Sequence, residues 1–487
     1  MFEHRARTGN TGIAMWRPSA ARLALVLAFA LAGVLLATRL HGLLDDPLLS
    51  IYSVLTISVT ALVMYLAFAK YRDPAVGAPS RVWQPRVSCL VAVKNEYEVI
   101  DRCIESLLAS DYPDLELIVV DDASTDGTRE RLIELERAHE RLRLFLLPES
   151  VKKKKALTHG LHYASGEILL FTDSDCVLAP DAVERVVDAF AARPDVGAVS
   201  GDVRALNGDR NFLTKMQDAW YDGQFSIWKA SESVFGAVTC ISGPLAAFRR
   251  EAVYNYFPAW AEDTFLGKEF PFATDRQLTG YLLGSDSVGP ALKRKYADSP
   301  FVRNEDYPDR SWRIAYVESA RAWTVVPPTL RTLMKQQARW KKSFIRNLFF
   351  TGRFYWRKGL VPAFIYYAHA AFIVATPVMA ARYLVYLPLS GDFALAPLYV
   401  GGVFLKGLIW GLAYKAKNPA CGRWIYRPFM SLASTFLFAM LLPYAALTIR
   451  RQVWARGVGG RVRPSEVAAS DAQPVARPEP ALARLAG

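Results

Sequence analysis

Cysteine and histidine are too few and too scattered in this chain to build an oxidised scaffold or a soft-metal centre. The five cysteines, Cys89, Cys103, Cys176, Cys240 and Cys421, are odd in number, far apart and without a CxxC pair. This excludes a zinc ribbon and a disulfide framework and fits a reducing compartment. Of the six histidines only His159 and His162 are close, on a predicted helix and without metal-ligand spacing. A metal bound here must therefore be held by carboxylates. No internal repeat is evident. Hydrophobic residues make up 52% of the 487, and the mean hydropathy is +0.12, which excludes a disordered or collagen-like chain and argues against an ordinary soluble enzyme.

Acid is scarce in one region. Residues 331–487 carry 22 Lys+Arg against 4 Asp+Glu, so the net charge of +13 belongs to the C-terminal third. There it flanks long apolar runs and does not cover a soluble, aromatic-interleaved domain, which argues against nucleic acid and for membrane lipids as the partner.

Residues 23–37 and 47–69 are uncharged apolar runs, the second long enough to span on the ~20-residue criterion. Their closeness, and the distance of the first from Met1, predict a helical hairpin and not a secretory signal. Arg5, Arg7, Arg17 and Arg22 precede it, Lys70 and Arg72 follow it, and Asp45 and Asp46 sit in the link. The positive-inside rule then puts both outer flanks in the cytoplasm. Residues 331–358, with nine Lys/Arg and no acid, predict helices lying on the membrane surface. Residues 359–381 and 393–414 predict two further spans. Residues 428–449 are apolar too, but a crossing would leave Arg450, Arg451, Arg456, Arg461 and Arg463 outside, so a re-entrant turn at Pro443 is expected. The expected layout is a tail and transmembrane hairpin over 1–80, a cytoplasmic α/β domain over 85–330, interface helices over 331–358, a C-terminal membrane region over 359–458 and a disordered tail over 459–487. The location expected is the plasma or inner membrane.

Between the membrane segments, short β-rich runs at Val87–Val93, 115–120, 142–147 and 168–172 alternate with helical stretches near 99–110, 129–138 and 156–164. This predicts a parallel sheet covered by helices, with ligands at the carboxyl ends of the strands. Lys94-Asn95-Glu96, Asp121-Asp122 and Asp173-Ser174-Asp175 all fall there. A DxD after an apolar strand can offer two carboxylates to a Mg²⁺ or Mn²⁺ that also bridges a nucleotide diphosphate; taken alone it reads better as a turn and helix cap. Asp121-Asp122 suits a uracil or ribose, and alone is turn chemistry ending in Asp126-Gly127. In the lysine run 152–155, Lys152 reads as a solvated face, while Lys153 or Lys155 would point inward to neutralise phosphate.

The ordered motifs VAVKNE, VVDDASTDGT, KKKKALTHGL, FTDSD, GDVRALN, CISGPLAAFRRE, TDRQLT and QQARW resemble those of processive family 2 glycosyltransferases. That family has an α/β GT-A (Rossmann-like, nucleotide-sugar-binding) catalytic domain embedded in a multi-pass α-helical membrane protein. The resemblance runs from about Val87 to Arg456. Cys240-Ile241-Ser242-Gly243-Pro244-Leu245 and Gly201-Asp202-Val203-Arg204 look closest to hyaluronan synthases, with rhizobial chitin-oligosaccharide synthases next. It implies an inverting transferase that polymerises sugars from UDP-sugars, UDP-GlcNAc and UDP-GlcA among them, with Mg²⁺ or Mn²⁺, a growing polysaccharide as partner, and export of the product. It implies that Asn95, Glu96, Asp121, Asp122, Lys153, Lys155, Asp173, Gln336, Gln337 and Arg339 serve the donor, and that Asp173 and Asp175 hold the metal. Asp275 is then the catalytic base, and Trp340, Ser242, Gly243, Pro244 and Arg276 meet the acceptor. An indole face suits a pyranose ring and an arginine fork suits a diphosphate.

Three departures stand out. Hyaluronan synthases usually carry Gly-Asp-Asp-Arg where this chain has Ala273-Thr274-Asp275-Arg276. Their Trp-Gly-Thr-Arg element is matched only loosely by Trp454-Ala455-Arg456, and residues 285–313 look inserted. A neutral N-acetylglucosamine polymer or oligomer is the alternative product. A membrane sugar-binding subunit without catalysis is the third reading, against which stand Asp275, both acids of the DxD and the whole of QQARW.

Overall fold

The computed structural model describes residues 18–41, 46–77 and 83–451; the Trp454-Ala455-Arg456 element and the tail expected over 459–487 lie outside them. Strands β1 (Val87–Val93), β2 (Leu115–Asp121) and β4 (Ile168–Asp173) are almost continuously buried runs, as strands covered on both faces must be. With β3 (Leu142–Leu146) at the outer edge they pair in parallel in the order β3-β2-β1-β4. Alternate residues serve two cores. Leu90, Ile118 and Leu169 face one side of the sheet, and Val91, Val119 and Leu170 the other. Helix α5 (Lys153–Leu161) lies so close to the first face that a Cβ on Gly160 would stand 2.9 Å from Val120 Cγ2.

The sheet is twice as wide as the four predicted strands. It continues through β7 (Ala246–Arg249), β6 (Val196–Ala205), β10 (Arg313–Thr324) and β5 (Cys176–Leu178). Here it is mixed: β7 runs antiparallel to β4 and β6, and β10 parallel to β6. In the register Ala92 lies opposite Asp173 and Val93 opposite Asp121. The polar clusters after β1, β2 and β4 therefore emerge at one edge. The stretch 285–313 forms helix Ser285–Lys295 and a short turn of helix that seats Phe301 against Tyr254, Phe257 and His162.

Among the described residues five segments are long and apolar enough to cross a membrane: Ala20–Ala37, Pro47–Lys70, Leu360–Leu389, Leu395–Lys417 and Arg423–Leu447. The fifth is broken at 439–440, and both its ends return to the α/β side. Arg423 pairs with Asp209 at 2.6 Å and with Asp218, while Lys342 Nζ donates to the carbonyls of Thr448 and Arg451 at 2.7 and 2.8 Å. Ile449 packs beside Phe270 and Phe272. The break precedes Pro443, which was expected to make it. Pro443 instead lies in the first turn of the following helix (Leu441–Leu447), where a missing N–H is tolerated.

The α/β domain is fastened to the membrane helices by buried charge. Arg204 of β6 donates to Asp202 at 2.8 Å, pairs with Asp222, and donates to the Tyr414 hydroxyl at 2.9 Å; Tyr316 donates to Asp202 at 2.7 Å. A bulge in β10 between Val317 and Arg321 carries Glu318 to Lys417 at 2.7 Å.

Because the fifth segment returns, a cysteine at Arg451 should be labelled by an impermeant maleimide from the same face as a cysteine at exposed Glu130. In sealed vesicles of a cysteine-free background, labelling of the two positions from opposite faces would refute the return.

Candidate active site

Asp173 ends β4, and Lys153 begins α5, so the carboxylate and the ammonium meet at the sheet edge as an ion pair. Burial lowers the Lys153 pKa, but the Asp173 and Asp275 carboxylates outweigh it and hold the group above its ordinary value. Two residues on, Asp175 is raised to about 6 by burial and by repulsion from Asp173. Glu96 is pushed up to about 8 by burial, then by Asp175, Asp126 and Asp173. The edge thus holds more carboxylate than its lysine neutralises. Ligand atoms of Asp173, Asp175 and Cys176 lie within 4.8 Å of one another. Two hard carboxylate oxygens fit a divalent cation of the Mg²⁺ or Mn²⁺ type; the buried Cys176 thiol is pushed well up and stays protonated, so it adds nothing to a hard site.

Asp122 lines the same cavity, its carboxylate accepting from Ser150 Oγ at 2.7 Å and from the Val151 backbone N–H at 2.6 Å. Asp121 is spent elsewhere, on Arg129 at 2.9 Å and the Ser124 N–H. Asn95 also turns away: with a left-handed backbone, φ 56°, its side-chain oxygen accepts from the Thr125 N–H at 2.8 Å and ties the β1 loop to the β2 loop. In the lysine run four neighbours divide among three sets of partners. Lys152 and Lys155 pair with Glu269 at 2.5 and 3.6 Å, and Lys153 with Asp173. Lys154 is buried, with Nζ 3.2 Å from Asp263, 3.0 Å from the Phe270 carbonyl and 2.5 Å from Gln277 Oε1. Of the two lysines expected to offer an inward-facing group, Lys153 meets Asp173 at the sheet edge, and Lys155 points at the rim toward Glu269.

The helix Thr274–Leu283 presents Asp275 from its first turn. Its cap, Ala273, has φ 62° in the left-handed region, where alanine costs about 1–2 kcal/mol and glycine nothing. This chain therefore reaches the start of the helix with backbone strain at Ala273. Asp275 Oδ1 accepts from the Arg276 N–H at 2.9 Å, and the Cys240 thiol approaches Oδ2 at 3.5 Å; burial and then Asp275 push that thiol up to about 12. Lys229 was not foreseen. It is buried beside the site, donating to Ser242 Oγ at 2.6 Å and Ser200 Oγ at 2.9 Å, and burial pulls it down to about 8. Its only sequence signal is a lone lysine inside the apolar run FSIWKA.

The long helix Leu330–Thr351 brings Gln336, Gln337, Arg339 and Trp340 to the cavity wall, opposite Ser242, Gly243, Pro244 and Arg276. A Cβ on Gly243 would stand 2.9 Å from Asp173 Oδ2, so a side chain here would displace that carboxylate. Trp340 stacks on Trp220 with centroids 5.7 Å apart. The cavity, about 990 Å³, runs from Asp173 past Asp275 and Trp340 and on between the membrane helices.

A sheet of this order with a carboxylate-bearing edge is the GT-A arrangement, and the chain superposes on a mannosyltransferase from Pyrobaculum calidifontis solved with GDP-Man and Mn²⁺, with a TM-score of 0.51 at 22% identity, over 82% of this chain and 98% of that one. Residues 88–257 match the model of glycosyl transferase family 2. Among curated proteins, an N-acetylglucosaminyltransferase of Rhizobium meliloti (strain 1021) is 32% identical over 309 residues, 62% of this chain and 66% of that relative. A hyaluronan synthase of Streptococcus pyogenes is 27% identical over 440 residues, 88% of this chain and 96% of that one. The protein is a glycosyltransferase with a GT-A domain set among membrane helices. More particularly, it belongs with the processive family 2 glycosyltransferases.

The adjacent lysines provide a direct check on the geometry. Lys154→Met strips a donor from three buried acceptors and should lower stability by about 1–3 kcal/mol. Lys155→Met removes one half-exposed pair and should change it by less than about 1 kcal/mol. Thermal unfolding of the two purified variants reads the difference, and equal losses would mean that the two side chains are placed wrongly.

Proposed function

We propose that the protein builds a polysaccharide by inverting transfer from UDP-sugars, in the manner of a hyaluronan synthase, with its α/β domain in the cytoplasm of a cell whose plasma or inner membrane holds the helices. The observation that carries this is one continuous cavity lined by Asp173, Asp275 and Trp340 that leads on between the membrane helices. Lys70 and Arg72 after the hairpin, and Lys415 and Lys417 at the end of the fourth segment, support the orientation. The continuation of the cavity supports export of the chain through the same protein.

In this reading Asp122 and the β1 edge hold the nucleoside, and Lys153 and Arg339 neutralise the diphosphate. Burial lowers the Arg339 pKa without removing its charge. Asp173 and Asp175 would hold a divalent cation, Mg²⁺ or Mn²⁺, which when bound offsets charge on the departing diphosphate. Trp340, braced by Trp220, offers a flat face to the acceptor pyranose. Asp275 takes the proton from the attacking hydroxyl, so displacement proceeds in one step and no covalent intermediate is needed. UDP-GlcNAc is the first donor in this reading and UDP-GlcA the second. The identity with the rhizobial N-acetylglucosaminyltransferase favours UDP-GlcNAc alone as the second reading. Supplying the donors singly and in pairs, then digesting the product with linkage-specific hydrolases, separates the two.

Asp275→Asn keeps the shape of the side chain but cannot accept a proton. Initial sugar-dependent UDP release should fall by about 10²–10⁴ while UDP-sugar affinity is retained; near-normal release would show that another group is the base. Asp173→Asn and Asp175→Asn should each abolish the metal-dependent part of UDP binding, because an amide lacks the charge that holds a hard cation. Calorimetric titration with UDP, with and without Mn²⁺, gives that reading, and undiminished metal dependence in both would return the DxD to a capping role.

A further inference from the structure

Beyond Trp340 the cavity changes sign. The acids that line it, Glu96, Asp122, Asp173, Asp175, Glu232 and Asp275, all belong to the α/β domain, whereas the membrane segments contribute Lys406 and Arg427 and no carboxylate. Lys406 lies mid-way along Leu395–Lys417, roughly 16 Å along the axis from either end. Its Nζ stands 3.6 Å from the centroid of the Phe372 ring and is paired with no acid among the described residues. Arg427 is 8% exposed; one terminal nitrogen donates to Ser431 Oγ at 2.7 Å, and its guanidinium lies 5.7 Å from the Trp410 ring centroid. Arg427 Nε and Trp410 Nε1 are buried without a hydrogen-bond partner, on the wall of the same cavity. Trp228 stacks beside Trp410 at 6.3 Å, extending a strip of ring faces.

An ammonium and a guanidinium buried among the membrane segments, without a counter-ion, are expensive to keep. Lysine, arginine and indole also offer only donors, so the occupant that satisfies them must accept hydrogen bonds and carry negative charge. The ring faces call for a flat, weakly polar body attached to that anion, and a pyranose has one. We propose that Lys406, Arg427 and Trp410 form an anion station between the membrane helices that receives the carboxylate of a uronate unit already joined to the growing chain. The assignment rests on the reading of the protein as a polysaccharide-building transferase. A lipid phosphate would satisfy the same donors, but the station opens on the cavity that holds Asp275 and Trp340, which points to the sugar chain.

The test uses the full-length protein in detergent and two oligosaccharides of equal length, one alternating uronate with N-acetylhexosamine and one of N-acetylhexosamine alone. Titration calorimetry should show wild type binding the acidic oligosaccharide at least about tenfold more tightly, as one charge-assisted contact allows. Lys406→Met and Arg427→Gln should each remove most of that preference and leave neutral binding in place, while Lys406→Arg, which keeps the charge, restores it. Equal affinities in wild type, equal losses for both oligosaccharides, or displacement of the acidic one by anionic lipid would each overturn the station. UDP release by wild type from UDP-sugars reports on the transferase assignment separately: release without discrimination between the oligosaccharides sinks the station alone, and discrimination without release sinks the transferase.

Discussion

The guanidinium of Arg204 sits where the α/β domain meets the membrane helices, and it cannot be left unpaired there. Asp202 and Asp222 hold it from one side, and Tyr414 of the fourth membrane segment meets it from the other. Breaking such a buried cluster by removing one member costs several kcal/mol, because a charge is stranded, so the cluster tolerates only one relative placement of its parts. Lys417 with Glu318 and Arg423 with Asp218 repeat the device around it. The result is alignment. The carboxyl edge of the sheet and the space between the helices become two ends of one cavity, which apolar packing alone, being non-directional, would not specify.

Charge is sorted along that cavity. At the sheet edge carboxylates crowd until burial and mutual repulsion hold Glu96 and Asp175 above their ordinary range, a repulsion that a divalent cation would relieve. In the middle aromatic faces take over. Between the membrane segments the charged residues on its wall are Lys406 and Arg427. In the proposed function, a sugar that moves inward would pass from the part of the cavity that holds its nucleotide to the part that holds the sugar itself.

Much of this was legible in the sequence, for physical reasons that also mark where legibility ended. The strands β1, β2 and β4 are buried on both faces, and unbroken apolar runs betray them. β6 contains Gly197, Gly201, Asp202 and Arg204, β7 is four residues long, and β10 is interrupted by the bulge that frees Glu318 for Lys417; their apolar pattern was sacrificed to docking. The DxD, Asp275 and QQARW were visible as ordered motifs. The lysine run was not resolvable, because which of four identical neighbours faces inward is decided by Asp263 and Glu269 more than a hundred residues later. The alanine at 273, where the resembled family usually has glycine, marked a departure without showing that the left-handed backbone is kept, and Arg427 gave no sign of a Trp410 partner that comes from another helix.

The returning fifth segment has a consequence for how the protein is made. A helix that crosses is positioned by the insertion machinery from its own hydropathy and flanking charge. This one ends on the side where it began, and its contacts are Asp209 and Asp218 at one end and Lys342 at the other, all earlier in the chain. Those partners have been synthesised, and the α/β domain around them has had time to fold, before residue 423 leaves the ribosome. The last described segment therefore docks onto a finished surface as a subunit would, and a fault in the catalytic domain's folding will show itself in the membrane topology of a segment two hundred residues downstream.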